Sequence, residues 1–552
     1  MLAAARPRLL AVVLAFGLTA ASAGATRHVF LGLERRGVAG VALSAPSRVA
    51  VSPDGAHAYV AAADGTSVFA RDAGGVLAVV EVKSDVLRSI AISPDGAYVY
   101  GPAGAFTTVF SIFDRNPVSG ALTFDSFAGT ASGGTMVPSP DGEHAYLFAG
   151  TGAAGVVEVL DRNPVTGALA SVEVHQDGVG GVDRIAVPRA LALSPDGAHV
   201  YVSSFLDDAV TVFARDAGTG ALTLVEAVVN GQGGVTGLDN GVGVVVSPDG
   251  LHVYAAGQAS DAVARFDRDG GTGSLAFAGS TPAHGPVALA ISPDGEHVYV
   301  TASDPDALRV FDRNPATGVL TPADVLEDDV AGTDGLAQGR GITVAADGVS
   351  LYVAAHDEDE VSVFRPATVD CTPAPAVGCR TPAVSGAAKL IVKDNPTLDR
   401  GDKLVWTWAR GSATSVADFG DPVAVANDYV LCVYDGSAAP QPLVATLLQA
   451  GAGCGKPQDP PTRSCWRPLP GKGFKYRNEG RPDGVAAAKL LAGAEARAKI
   501  KVKAKGETLD TPSLPLAPPV VVQLQSAAGP CWEATYSTPS INFSAQFKAK
   551  AD

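Results

Sequence analysis

The chain has 552 residues, 47% hydrophobic and 18% charged, with a formal net charge of −16. That is too much chain for one ordinary core, so at least two domains are expected. Residues 1–370 carry 20 basic and 42 acidic side chains, and a field that negative argues against nucleic-acid binding by this part.

The first residues, MLAAARPRLLAVVLAFGLTAASAGA, have a secretory layout. Arg6 and Arg8 precede an apolar run from Leu9 to Ala20, and small residues allow cleavage after Ala23 or Ala25. Residues 1–25 are therefore read as a signal peptide, and a periplasmic or extracellular location is expected. No later apolar run reaches the ~20 residues of a spanning helix, so no transmembrane segment is expected.

From residue 26 to 368 one phrase recurs. SPDG begins at Ser52, Ser93, Ser139, Ser194, Ser247 and Ser292, and a worn copy, AADG, begins at Ala345. The aspartates Asp54, Asp95, Asp141, Asp196, Asp249, Asp294 and Asp347 are spaced by 41, 46, 55, 53, 45 and 53 residues, a period that suits about four strands. In each unit an apolar strand runs into the phrase. Proline and glycine then set a hairpin with a type I turn and a glycine bulge. A third strand ends in turns such as DRNPATG, and a fourth follows. Seven such units suggest a seven-bladed β-propeller. The segment RHVFLGLERRG before the first phrase resembles a fourth strand, and the seventh unit lacks one, so the N-terminal strand is expected to close the last blade and leave no open edge. A stacked solenoid would not leave complementary ends.

The stretch VALAISPDGEHVYVTASDPDALRVFDR resembles the YVTN-type repeats and the lactonase-like seven-bladed propellers of exported bacterial proteins, over roughly residues 28–366. The resemblance implies the propeller fold. It also implies kinship with lactone-opening enzymes, ring-closing relatives and members of no known reaction.

Beyond Asp370 the composition changes. All six cysteines, all four tryptophans and thirteen of the fourteen lysines lie there, and the net charge of residues 371–552 is +6. A Pro-rich joint is expected at 369–385, followed by a disulfide-stabilised, β-sandwich-like domain over 386–552. Cys371, Cys379, Cys432, Cys454, Cys465 and Cys531 are disulfide candidates in any of fifteen pairings. Zinc is not expected, because no Cys-x-x-Cys and no histidine occur there. AKIKVKAKG reads as a half-buried strand whose lysines face solvent at a sheet edge, and AAAKLLAGAEARA before it is compatible with a short helix.

The turns after the first and third strands share one face of a propeller, so the irregular loops share the other, where binding residues concentrate. His57, His144, His199, His252 and His297 occupy one repeated slot and read as structural. His175, His284 and His356 fall in the irregular loops. Arg88, Arg189 and Arg340 each lie seven residues before the phrase's aspartate, and Arg48 lies six before. With Asp208, His284 and His356 they are the ligand-binding candidates; the alternative is that these arginines pair with loop acids to hold blades in register. His284 and Arg189 are the catalytic candidates, a base to activate water and a cation for the oxyanion. No metal or cofactor is expected; acidic loops offer Ca²⁺-type ligands, but DRDGG at Asp267 is better explained as a turn. The expected function is binding of a small molecule, a protein or a cell-surface polymer on the irregular face by a monomer. The alternatives are lactone hydrolysis at the channel mouth and a structural envelope or surface role.

Overall fold

The computed structural model describes residues 27–35, 41–103, 108–130, 134–151, 154–328, 330, 333–394, 401–423, 427–437, 439, 441–451, 464–478, 484–506, 509 and 511–552. The proposed signal peptide and Cys454 lie outside them. Among the described residues there is no α-helix, and a 3-10 turn lies at Ala417–Phe419.

Seven four-stranded antiparallel sheets follow one another along the chain. Blade one is typical: Arg48–Val51, His57–Ala62, Gly65–Arg71 and Leu77–Lys83, in that order from the channel outward. The second strand is buried at every position, while the fourth alternates with period two, as an outer strand wetted on one face must. The innermost strands are less buried than their apolar sequences suggest. Pro286–Ile291 alternates buried and half-buried residues, because one face looks into the channel. Blade seven is made of Gly339–Val344, Leu351–Ala355 and Glu360–Pro366, and the N-terminal strand His28–Arg35 is its fourth, pairing His28 with Pro366 and Arg35 with Glu360.

The repeated phrase is a hairpin that also fastens neighbouring blades. In blade one Ser52 Oγ donates to Asp54 at 2.5 Å, the Ala56 amide donates to the same carboxylate, and Gly55 takes φ +71°. The free oxygen of Asp54 then accepts 2.6 Å from Nη2 of Arg115, at the end of the third strand of blade two. Nε of that arginine reaches Tyr59 Oη at 2.8 Å and its Nη1 the Gly96 carbonyl at 3.1 Å. Arg162, Arg215, Arg268 and Arg313 repeat the arrangement at the next four boundaries. Arg71 joins blade one to blade seven through Tyr352 at 2.6 Å, Asp347 at 3.1 Å and the Gly55 carbonyl. The repeat histidines belong to this staple. Nη2 of Arg115 lies 2.9 Å from His57 Nδ1, and since arginine only donates, that nitrogen is an unprotonated acceptor. The ring rests on Gly120 of the next blade, where a Cβ would come within 2.2 Å of it.

These staples make the ring acid-sensitive. Burial would raise the Asp54 and Asp196 carboxyls, but bonds from the adjacent serine, a backbone amide and the staple arginine outweigh it and hold both at about 2. Burial and then the arginine hold His57, His199 and His252 below the usual histidine value. All five values are depressed by folding, so the stability they contribute is present above the unfolded values and lost as pH falls through the folded ones. The unfolding temperature is expected to fall below about pH 6.5 as the histidines titrate, and again between about pH 4 and 2 as the aspartates do. A temperature constant from pH 7 to 3 would show that the staples carry no stability.

The seventh boundary differs. Pro366 occupies the arginine slot of blade seven, and His28 from the closing strand stands there instead, with Nε2 3.1 Å from Tyr299 Oη and its ring edge-on to His297. His297 turns to Asp312, at 3.1 Å.

The late domain is a sandwich of an eight-stranded and a four-stranded sheet. Trp406, Trp408, Trp466 and Trp532 are all buried in its core. The segment compatible with a helix is instead the strand Val485–Leu491 followed by a turn, and the lysine strand Ala498–Lys505 is interior to the large sheet, between Val485–Leu491 and Lys403–Gly411, not at its edge. Tertiary pairing with two neighbours overrides the helical propensity of an alanine-rich run. Cys371 bonds Cys432 and Cys379 bonds Cys531, so both cross-links tie the Pro-rich joint to the smaller sheet. Cys465 is also disulfide-bonded.

The two domains share a core. Leu31, Leu43, Val60 and Val363 of blades one and seven pack with Val430, Tyr434 and Leu447 of the smaller sheet. Beside them Arg365 and Asp428 form a two-pronged pair, both bonds 2.7 Å, with side chains 2% and 0% exposed. Asp428 also accepts from the Thr368 amide and hydroxyl and from the Ala450 amide, so the buried carboxylate is fully bonded.

Candidate functional site

On the face opposite the staples, the loops between blades lead into the inner strands and ring the channel mouth. A second repeated device builds this rim. Asp208 accepts the Asn240 amide at 2.8 Å, Asp261 the Gly285 amide at 2.8 Å, Asp306 the Gln338 amide at 3.0 Å and Asp359 the Ala45 amide at 2.7 Å. Each carboxylate sits between the second and third strands of one blade and fixes the approach to the next inner strand. Ala45, Val187, Asn240, Gly285 and Gln338 occupy equivalent places and all have positive φ, from 46° to 63°. Asp208 thus has an architectural partner, and His284 stands one residue before the corner of blade six, itself at φ 50°.

The arginines follow directly on these corners. Arg88, Arg189 and Arg340 are exposed. Arg48 is only half-exposed, and its burial lowers its pKa. Arg340, Arg48 and Arg88 come from three successive blades and are tied through the backbone. Arg48 Nη1 donates 3.1 Å to the Arg340 carbonyl, and Ser47 Oγ donates 3.0 Å to the Arg88 carbonyl. Gly341 permits this approach, since a Cβ there would lie 2.9 Å from Arg48 Cα. Arg340 also donates to Gln338 Oε1 at 3.0 Å. Arg189, on blade four, lies over the Phe205 ring at 5.0 Å. None of the four makes a salt bridge among the described residues. Asp208, Asp261, Asp306, Asp328, Glu358 and Asp359 hold backbone amides instead.

His284 is exposed, with only its amide engaged, by the Asp261 carbonyl at 3.2 Å. His356 pairs with the adjacent Asp357 at 2.8 Å. His175 lies not in a loop but within the outer strand Leu169–Gln176, packed on Phe213 with Glu173 3.2 Å away. Asp328, Asp334 and Glu358 bring carboxylate oxygens within 4.8 Å of one another, a set chemically suited to a hard cation. Asp328 and Glu358 there already hold the Leu336 and Ala337 amides, which makes them part of the rim. Glu34, which sequence reasoning passed over, has its carboxyl raised to about 7 by burial, but it lies on the outermost strand of blade seven. An open pocket of about 380 Å³ lies on the staple face, between Asp54, Arg71, Asp72 and Asp347, and does not coincide with the mouth.

Residues 181–326 match the family model described as lactonase, 7-bladed β-propeller. No curated protein matches the chain. Among solved structures the chain is similar to a candidate 6-phosphogluconolactonase from Bacteroides uniformis, at 22% identity over 52% of this chain and 87% of that one, with a TM-score of 0.45. It is also similar to a periplasmic gluconolactonase of Pseudomonas aeruginosa, at 21% identity over 51% and 85% with a TM-score of 0.43. The hydrazine synthase of Kuenenia stuttgartiensis is similar at 18% identity over 59% and 96%, with a TM-score of 0.45.

Proposed function

We propose that this lactonase-like β-propeller is an exported protein that binds an anionic ligand at the channel mouth, held by Arg340, Arg48 and Arg88 with Arg189 on the far side of the rim. The observation that carries this reading is that, among the described residues, none of the four arginines forms an ion pair, while the carboxylates of Asp208, Asp261, Asp306 and Asp359 hold backbone amides. Cations crowded at a concave mouth without a protein counter-charge attract an anion from solution. Export is supported by the secretory layout of residues 1–25 and by cross-links of the kind stable in oxidising compartments. No helix among the described residues is long and apolar enough to cross a membrane.

Titration calorimetry with gluconate, citrate and inorganic phosphate tests the binding. The chain is expected to bind at least one of them, and Arg48→Ala combined with Arg88→Ala and Arg340→Ala to weaken it by about 100-fold, roughly 2.7 kcal/mol. Equal affinities for parent and triple variant would sink the reading.

Lactone hydrolysis is the second reading, favoured by the family match over a span that contains Arg189 and His284. Water, deprotonated by His284, would add to the ring carbonyl, Arg189 would stabilise the oxyanion, and cleavage of the ring C–O bond, with the proton passed from His284 to the leaving ring oxygen, would release the hydroxy acid. Assay of a lactone panel with parent, Arg189→Ala and His284→Ala decides it; background rates in all three exclude catalysis.

A further inference from the structure

We infer that the outer face of the eight-stranded sheet is a docking surface for an acidic polysaccharide, independent of the channel mouth. The pairing of the strands places cations in a line. Arg467 is opposite Lys475, Lys475 opposite Lys489, Lys489 opposite Lys501, Lys501 opposite Thr407, Thr407 opposite Lys389, and Lys389 opposite Lys550. One row therefore carries six cations across seven strands, a span of about 29 Å at ~4.8 Å per strand. A parallel row sets Lys505 beside Lys403 and Lys403 beside Lys393. In all, eleven of the thirteen late lysines lie on these strands.

Nothing on the sheet offsets that charge. Its eight strands contain no aspartate or glutamate. None of the eleven lysines forms a salt bridge among the described residues. Like charges directly opposite on neighbouring strands repel, so the rows cost stability in the isolated protein. Lys501, at the centre, shows the strain: partial burial, then Lys503, Lys499 and Lys403, depress its ammonium pKa. A partner that brings negative charge relieves this repulsion.

The geometry selects among polyanions. One cation per strand has a pitch close to one sugar ring, which suits a polysaccharide with one acidic group per unit. A duplex nucleic acid is a stiff cylinder and would meet a broad sheet face along a narrow strip. Single-stranded nucleic acid wants a run of aromatic platforms, whereas the side chains between the lysines include Val405, Thr407, Ile391, Ala487 and Leu491, and the exposed ring of this face, Phe543, stands alone on the edge strand. An interfacial membrane site adds several apolar side chains that insert, but those between the lysines are half-buried and only Phe543, at the edge, stands out among the described residues of these strands. Lysine, which fills five of the six cationic places, supplies mobile point charges without fixed bidentate geometry and so suits a chain that contacts the row charge by charge.

The test uses the full chain, immobilised polygalacturonate, and the triple variant Lys389→Ser, Lys489→Ser, Lys501→Ser. The parent is expected to bind at about 50 mM salt and to release steeply toward 200 mM, and the variant to bind at least tenfold more weakly with a salt slope shallower by about 2. The variant should unfold at the same or a higher temperature, because repulsion has been removed, and should keep the parent's affinity for anions at the mouth. Unchanged retention of the variant, or no retention of the parent, overturns the inference. So does tighter binding to vesicles rich in phosphatidylglycerol or to duplex DNA than to polygalacturonate, and so does self-association at low salt that the variant abolishes while polygalacturonate fails to bind.

Discussion

Asp428→Ala will lower the stability of the folded chain by about 3–5 kcal/mol, the largest single-residue effect expected in this protein. The reason is an asymmetry. With its partner present, Arg365 is bonded through both terminal nitrogens at 2.7 Å in a site only 2% exposed. With the carboxylate gone, a full positive charge is left buried between the blades and the sandwich, and Thr368 and the Ala450 amide lose their acceptor. Replacing both charges, Arg365→Met with Asp428→Leu, should restore most of the loss, since the pair itself is worth little against well-packed apolar groups. Denaturant unfolding measures this. A shift under about 1 kcal/mol for Asp428→Ala would mean that solvent reaches the site and that the two domains are not held through it.

Arg215→Ala is expected to cost about 3 kcal/mol, far more than a surface arginine such as Arg184, where about 0.5 kcal/mol is the norm. Arg215 joins four groups of two blades: Tyr146 at 2.6 Å, the Gly197 carbonyl at 3.1 Å, Asp141 at 2.7 Å and His144 Nδ1 at 2.9 Å. Arg215→Lys should recover only a part, because one ammonium cannot span acceptors that a planar fork reaches together. Hydrogen exchange adds a local readout: amides at the boundary of blades three and four should exchange faster in the alanine variant, while those of blades five and six keep their protection. Equal protection at both boundaries would count against the staple as the source of the loss.

Much of this was legible in the sequence, and the limits are physical. Seven copies of one hairpin give seven blades, and a stray fourth strand at one end with a missing one at the other gives the closure. The letters Asp54, His57, Tyr59 and Arg115 were visible as repeats, but not as partners. Arginine and aspartate of one staple are 61 residues apart, on different blades, and spacing alone cannot show that the third strand of a blade reaches back to the preceding turn. Asp208 was singled out for ligand binding for a related reason. A carboxylate on a variable loop looks available, and the peptide amide it holds leaves no mark in a sequence. The arginines of the mouth were found because they recur at one offset, yet whether loop acids would neutralise them depended on where those acids' oxygens went. The cysteine pairing was out of reach altogether, as was the lysine face, which exists only when non-adjacent strands come into register.

The closing strand sets the order in which the molecule can be made. His28–Arg35 is synthesised before the blades, but among the described residues it pairs only with Glu360–Pro366, more than three hundred residues later. Throughout synthesis, and through any passage across a membrane, that strand must remain unpaired beside six blades that have nothing to close on. Non-local pairing of this kind is slow, because the loop entropy is lost before any contact is gained. The boundary it finally completes has a histidine where six others have an arginine, and its outer flank is then covered by the sandwich, joined through Leu31 and Arg365. The sandwich, synthesised after the blades, thus seals the closing strand into place, so a chain truncated after Pro366 should assemble its blades and then breathe at this one junction.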